Sequence, residues 1–343
     1  NDAPRIDALL RLGVDGIISD RPDLLRAAVV EFDGDGDGAP DLVGADGLVD
    51  PARFDAQGHR GARDLRPENT LPAMEAALDE LVTTLETDVG LTRDEAPILS
   101  HDPYLEASKC RRADGRSYDH ADERLIRELT RAELQAAFVC DRLIRGPTQR
   151  NEPALSPVAV AFARAEGLAS PYTPPTLDQL FRFVDAYAAH HETGPGAAHP
   201  DAALRARNAR RVRFNVETKI NPRQDRDDHG HVFAERTLAP ERFVARIVEA
   251  VRAAGLAARV DLQSFDARAL LRAQDEAPEL RTVLLIGDTP VIGGPVPGDG
   301  ANLQPEGDAP TPWLAGLPWP YRVTAKTRPF AVKTSGGLEG MAL

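Results

Sequence analysis

His59 and Arg60 stand between Gly58 and Gly61, and His101 is followed at once by Asp102. Histidines titrate near neutral pH, so two of them can take and return a proton within one reaction, while an arginine beside one holds an anion. Glu86 and Asp88 are two residues apart in LETDV, and Asn215, Glu217 and Lys219 repeat that spacing in VRFNVETK. On a strand, alternate residues share a face. Leu85, Thr87 and Val89, like Val212, Phe214 and Val216, then form the opposite faces. The apolar faces must pack, so the three acids and the lysine turn the other way. Burying three acids together costs much free energy, and a divalent cation removes that cost. Any strand tip can carry two alternating acids; their combination with two histidines is what points to chemistry.

The elements that must position these residues alternate along the chain. Strand patterns occur at GIIS (16–19), LETDVG, APILSHD, VRFNVETK, VDLQSF and TVLLIG, with YRVTA and FAVKT further on. Between them lie helical patterns. Leu71, Met74, Leu78 and Leu81 recur at helical spacing behind the cap candidates Asn69 and Thr70. Thr130 with Glu133, and Thr176 with Gln179, form capping boxes. Phe243, Ile247, Val248 and Val251 make one face of a helix ending at Gly255. Strands separated by helices pair in parallel, and this number of units predicts an α/β fold, the TIM (β/α)8 barrel, with its site at the strand ends.

The 343 residues are 42% hydrophobic and 28% charged, enough for a large core. A net charge of -13 argues against a general partner in nucleic acid or an anionic membrane. It is compatible with divalent cations and with a small anion held by a local basic cluster. No apolar run is long enough to form a transmembrane segment. Cys110 and Cys140 are either two buried thiols or, in an exported protein, a disulfide. FDGDGDGAPDL places Asp33, Asp35, Asp37 and Asp41 around Gly38. Alternate carboxylates on a glycine turn can form a second calcium site, although Gly44 stands where an EF-hand has its glutamate. The other reading is a flexible acidic linker. DDHGH (227–231) is either a metal-binding cluster or, the favoured reading, a polar loop lining a substrate entrance, and His190, His191 and His199 read as solvated loop residues.

GHRG with PENT, then LETDV with LTRD, PILSHD, NVETK and LQSFD, in that order, resembles the glycerophosphodiester phosphodiesterase family over roughly residues 57–290. The resemblance implies a TIM-barrel hydrolase that uses one divalent cation, Ca2+ or Mg2+. It would release sn-glycerol 3-phosphate and an alcohol from a small-molecule glycerophosphodiester. Carried onto this chain, Glu86, Asp88 and Glu217 match the metal ligands, and His59 and His101 the acid/base pair. Arg60 matches the phosphate-contacting arginine and Lys219 the lysine of the E-x-K strand. Gly58 and Gly61 would let the backbone approach the phosphate, Glu68 and Asn69 would cap the next helix, and Asp102 would orient His101 or cap the loop. The long insert after His101 resembles the larger periplasmic members, so a secreted or periplasmic location is expected. Two other functions are weighed: a related barrel acting on lysophospholipid or sphingolipid, and a catalytically retired binding module.

The departure from the family is at the ends. Its closing strand and helix read like GVDGIISDRPDLL, which here is residues 13–25. Residues 1–29 are therefore either the last barrel strand and helix of a circularly permuted barrel or the tail of an upstream copy. Residues 30–50 would form the acidic linker or calcium loop, 51–330 the phosphodiesterase barrel and 331–343 a C-terminal extension. If the barrel is permuted, GIISD must pair in parallel with the strand that leads into His59.

Overall fold

Capping residues set where the helices begin. In the computed structural model, which describes residues 2–221, 226–286, 305–306, 309–310 and 331–334, the side chains of Thr70, Thr130 and Thr176 accept from the N–H groups that open three helices. The last two complete the expected capping boxes with Glu133 and Gln179. In chain order the elements are α1 (Ala3–Arg11), β1 (Gly16–Ser19), α2 (Pro22–Glu31), β2 (Asp55–Gly58), α3 (Leu71–Asp79), β3 (Thr84–Leu91) and β4 (Pro97–Leu99). An insert follows, with β5 (Arg111–Arg112), α4 (Arg131–Ala137), β6 (Phe138–Val139) and α5 (Pro157–Ala165). Then come α6 (Leu177–Glu192), α7 (Ala202–Arg211), β7 (Arg213–Thr218), α8 (Pro240–Ala253), β8 (Val260–Ser264), α9 (Ala267–Glu276) and β9 (Arg281–Ile286). Three short strands close the order: β10 (Pro305–Glu306), β11 (Ala309–Pro310) and β12 (Ala331–Thr334).

The chain forms two compact units, residues 1–215 and 216–343. In the first, β1 pairs in parallel with β2, Gly16 opposite Asp55 and Ser19 opposite Gly58. This is the pairing that the permuted reading requires of GIISD. On its other side β2 pairs in parallel with β3. The start of β7 joins there, Arg213 N–H donating to Thr83 O at 2.9 Å. In the second unit β8, β9 and β12 are parallel neighbours. YRVTA, most of the loop after β9 and the end of the extension lie outside the described residues.

One strand departs from the expected parallel order. β4, which carries PILS, runs antiparallel to β3, Val89 opposite Leu99. Only Thr92 to Ala96 separate the two, too few residues for a crossover helix, so the chain returns as a hairpin. His101 consequently follows the end of a short edge strand.

Residues 1–29 are built into the first unit's core. Ile6 and Leu10 of α1 and Leu25 and Val29 of α2 are buried with Val49, Phe54 and Ala56 in one cluster. Each of the larger side chains among them is worth about 2 kcal/mol of transfer free energy. The insert packs a core against β4, where Leu105, Cys110, Ile126, Leu134 and Phe138 cluster with Ile98. Cys110 and Cys140 are disulfide-bonded there, which resolves the two readings in favour of the bridge.

Candidate active site

The GHRG turn leaves β2 at Gly58 and enters a left-handed conformation at Arg60 (φ 51°) and Gly61 (φ 82°). A non-glycine residue there costs roughly 1–2 kcal/mol. At Arg60 that conformation aims the N–H at Glu86 Oε2, 2.8 Å away, and Gly61 N–H reaches Glu86 O at 3.2 Å. The glycines serve packing. A Cβ on Gly61 would stand 2.5 Å from the backbone of Ala73 in α3, and one on Gly58 would stand 2.4 Å from Gly61 O. Beyond the approach to a phosphate expected of them, the two glycines seat the turn on α3.

His59 and His101 each have Nδ1 on an aspartate. His101 Nδ1 is 2.8 Å from Asp102 Oδ1, the orienting contact expected from the sequence. His59 Nδ1 is 2.5 Å from Asp20 Oδ1, and its Nε2 is 3.9 Å from Glu86 Oε2. Asp20 was not among the expected site residues. It follows β1 directly, and Arg63 and Arg145 reach it at 2.7 and 2.9 Å. Burial disfavours its charge, but His59 and Arg63 outweigh burial and hold its carboxyl well below the usual range.

Glu68 and Asn69 correct another expectation. Thr70 caps α3, because its β-type backbone turns Oγ1 to Ala73 N–H. Asn69 is left-handed (φ 56°), a conformation asparagine tolerates. Its amide donates to Asp88 Oδ2 at 2.9 Å and accepts from Thr87 Oγ1 at 2.9 Å. Glu68 faces Arg60 and Lys109, each at 3.0 Å. Burial raises the Glu68 pKa, and Arg60, Lys109 and His101 more than reverse that. Lys109, also missed in the sequence, joins Glu68 to Asp102. Burial works against its charge as well, yet Asp102, Glu68 and Glu106 hold its pKa above the ordinary value. A cavity of about 40 Å³ opens beside this group, lined by His101, Asp102, Glu68, Lys109, Arg142 and the disulfide.

Glu86 and Asp88 are fully buried on β3, with ligand oxygens within 4.8 Å of one another. Arg60 Nε lies 3.0 Å from Asp88 Oδ2. The first unit therefore brings His59, His101, Arg60, Glu86 and Asp88 into one linked group. Two buried all-oxygen donors fit a hard divalent cation such as Ca2+ or Mg2+. In the second unit, Glu217 is buried on β7 and accepts from Lys219 Nζ at 2.7 Å.

Of the secondary candidates, Asp33, Asp35 and Asp37 also gather within 4.8 Å. Asp33 accepts from Gly36 and Gly38, and Asp41 turns to Gly34 N–H at 2.6 Å. These backbone contacts account for the loop's shape. In DDHGH, Asp227 Oδ1 accepts from His231 N–H at 2.9 Å, closing a turn. His190 and His191 belong to α6 rather than a loop; His191 is buried with its ring 4.7 Å from that of Tyr187, and burial lowers its pKa.

The glycerophosphoryl diester phosphodiesterase family matches residues 59–292. Glycerophosphodiester phosphodiesterase domain-containing protein 4 of Mus musculus is 51% identical over 45 residues, 13% of this chain and 7% of that protein. A Silicibacter pomeroyi structure provisionally named glycerophosphoryl diester phosphodiesterase shares 25% identity, with a TM-score of 0.48 over 68% of this chain and 65% of that one. An Oleispira antarctica phosphodiesterase solved with sn-glycerol-3-phosphate shares 19%, with a TM-score of 0.40, 68% of this chain and 66% of that one being covered. The match thus spans under a tenth of the mouse protein and just under two thirds of the Silicibacter one. With some two thirds of its length matched, including His59, Arg60, Glu86, Asp88, His101, Glu217 and Lys219, the chain belongs to the glycerophosphoryl diester phosphodiesterase family and has its TIM-barrel fold.

Proposed function

We propose that the protein hydrolyses glycerophosphodiesters to sn-glycerol 3-phosphate and an alcohol, with one divalent cation, Ca2+ or Mg2+. The observation that carries this reading is the pairing of His59 and His101 with aspartates within the linked group that holds Glu86 and Asp88. Glu86 and Asp88 hold the cation, and Glu217 is the third ligand that the family pattern implies. When bound, the cation draws charge from the non-bridging phosphoryl oxygens. Arg60 adds a fixed positive charge beside them, and Lys219 another, as a phosphodiester gathers negative charge during displacement. One histidine accepts the nucleophile's proton at Nε2, and the other protonates the departing alkoxide. Asp102 holds the His101 ring in place. The Cys110–Cys140 bridge supports a secreted or periplasmic location.

Hydrolysis of glycerophosphocholine, followed by release of sn-glycerol 3-phosphate, tests the reading. Activity should vanish in excess EDTA and return with Ca2+ or Mg2+. Full turnover in excess chelator would remove the cation from the proposal. No turnover with any glycerophosphodiester would favour the retired binding module.

A further inference from the structure

His59 Nδ1 faces a residue outside the span of the family match. The match begins at residue 59, whereas Asp20 lies 39 positions upstream. Parallel pairing of β1 with β2 keeps that offset from Gly16 opposite Asp55 to Ser19 opposite Gly58. Carried one residue further, it places Asp20 beside His59. The backbone fixes both, with His59 N–H donating to Ser19 O at 2.9 Å and Asp64 N–H donating to Asp20 O at 3.1 Å.

We propose that Asp20 is the positioning residue of His59, and that the segment supplying β1 is therefore part of the catalytic machinery. This rests on the role given to His59 above. Asp20 is 3% exposed, and an imidazole and two guanidinium groups face its carboxylate. His59 Nδ1 and Arg63 Nε face Oδ1, and Arg145 Nη2 faces Oδ2. Arg145 comes from the insert and also holds Asp64 at 2.9 Å. Between two guanidinium groups the carboxylate remains ionised, and an ionised carboxylate accepts but does not donate. His59 Nδ1 must then carry the hydrogen. The lone pair falls on Nε2, on the side of the ring that faces Glu86. All proton exchange with substrate occurs at Nε2, and Asp20 itself takes no proton.

Asp20→Asn tests this without changing side-chain volume. An amide can donate to Nδ1, which stabilises the opposite tautomer, and such a swap in a hydrolase triad costs about 10⁴ in kcat. The variant should lose kcat by at least tenfold, with KM within about threefold and thermal stability sufficient for assay. Selective ¹⁵N labelling of histidine should show wild-type His59 protonated at Nδ1, assigned by loss of its signals in His59→Gln. In Asp20→Asn that signature should shift toward the Nε2-protonated form. A loss of less than tenfold, or a wild-type His59 protonated at Nε2, would overturn the proposal. If Asp20→Asn does not fold, the wild-type tautomer decides alone. If the wild-type enzyme hydrolyses no glycerophosphodiester, the functional reading fails while the tautomer still tests Asp20.

Discussion

At the scale of single residues, the site is a set of charges that hold one another in place. Asp102, Lys109, Glu68, Arg60 and Asp88 form an unbroken series of contacts, from the histidine after β4 to the carboxylates of β3. Such a network is costly to assemble but well suited to hold groups in position, because removing one member leaves another buried charge uncompensated. His59 and His101 stand at its margin, each about one-fifth exposed at the side chain, where a substrate can reach them. Replacing either should therefore cost turnover far more than fold. His59→Ala and His101→Ala are each expected to lower kcat by about 10² to 10⁴, with melting temperatures close to wild type. Near-normal turnover in one variant would remove that histidine from the acid/base pair.

Between elements, one contact joins two helices through a buried acid. Glu75 of α3 accepts from Val158 and Ala159 N–H at 3.2 and 2.7 Å, capping the N-terminus of α5 from outside. Burial nevertheless pushes its carboxyl up to about 7. In the unfolded chain a glutamate titrates near 4.3. Between about 4.3 and 7 the folded protein retains a proton that the unfolded chain has lost, so stability falls as pH rises through that window and levels off above it. The size of this effect is on the order of 3 kcal/mol. Glu75→Gln lacks it. The wild-type minus variant difference in unfolding free energy should therefore fall by that amount between pH 4.5 and 8, measured by urea titration. An equal difference at both pH values would show that the capping N–H groups, not burial, govern Glu75.

At the scale of the whole molecule, the first 29 residues pack into the core of the first unit. We infer that they supply the closing strand and helix of a permuted barrel, since β1 lies in parallel register against β2 and α1 and α2 cover Phe54 and Ala56. Deleting them would expose the edge of β2 together with an apolar surface, and both favour association between copies. It would also remove Asp20. The truncated chain should aggregate on size-exclusion chromatography and lack activity. A monomeric, active truncation would assign the segment to another domain.

The sequence by itself determined what depends on local spacing. Period-two alternation put Glu86 with Asp88 and Glu217 with Lys219, and capping boxes placed the starts of α4 and α6. The family pattern picked out His59 and His101. What it missed depends on register and on distant partners. Asp20 was quoted in a strand expected to lie beside His59, yet only the 16-to-55 register sets the two opposite each other. Glu68 and Asn69 resemble helix caps because Asn commonly caps; the cap fell to Thr70 once left-handed backbone at Asn69 turned its amide toward Asp88. Lys109 belongs to no local pattern, and the fold of the insert brings it to Glu68. Secondary structure is coded by neighbours in sequence, whereas the charge partners of a site are chosen by tertiary packing, which brings together residues with no periodic relation.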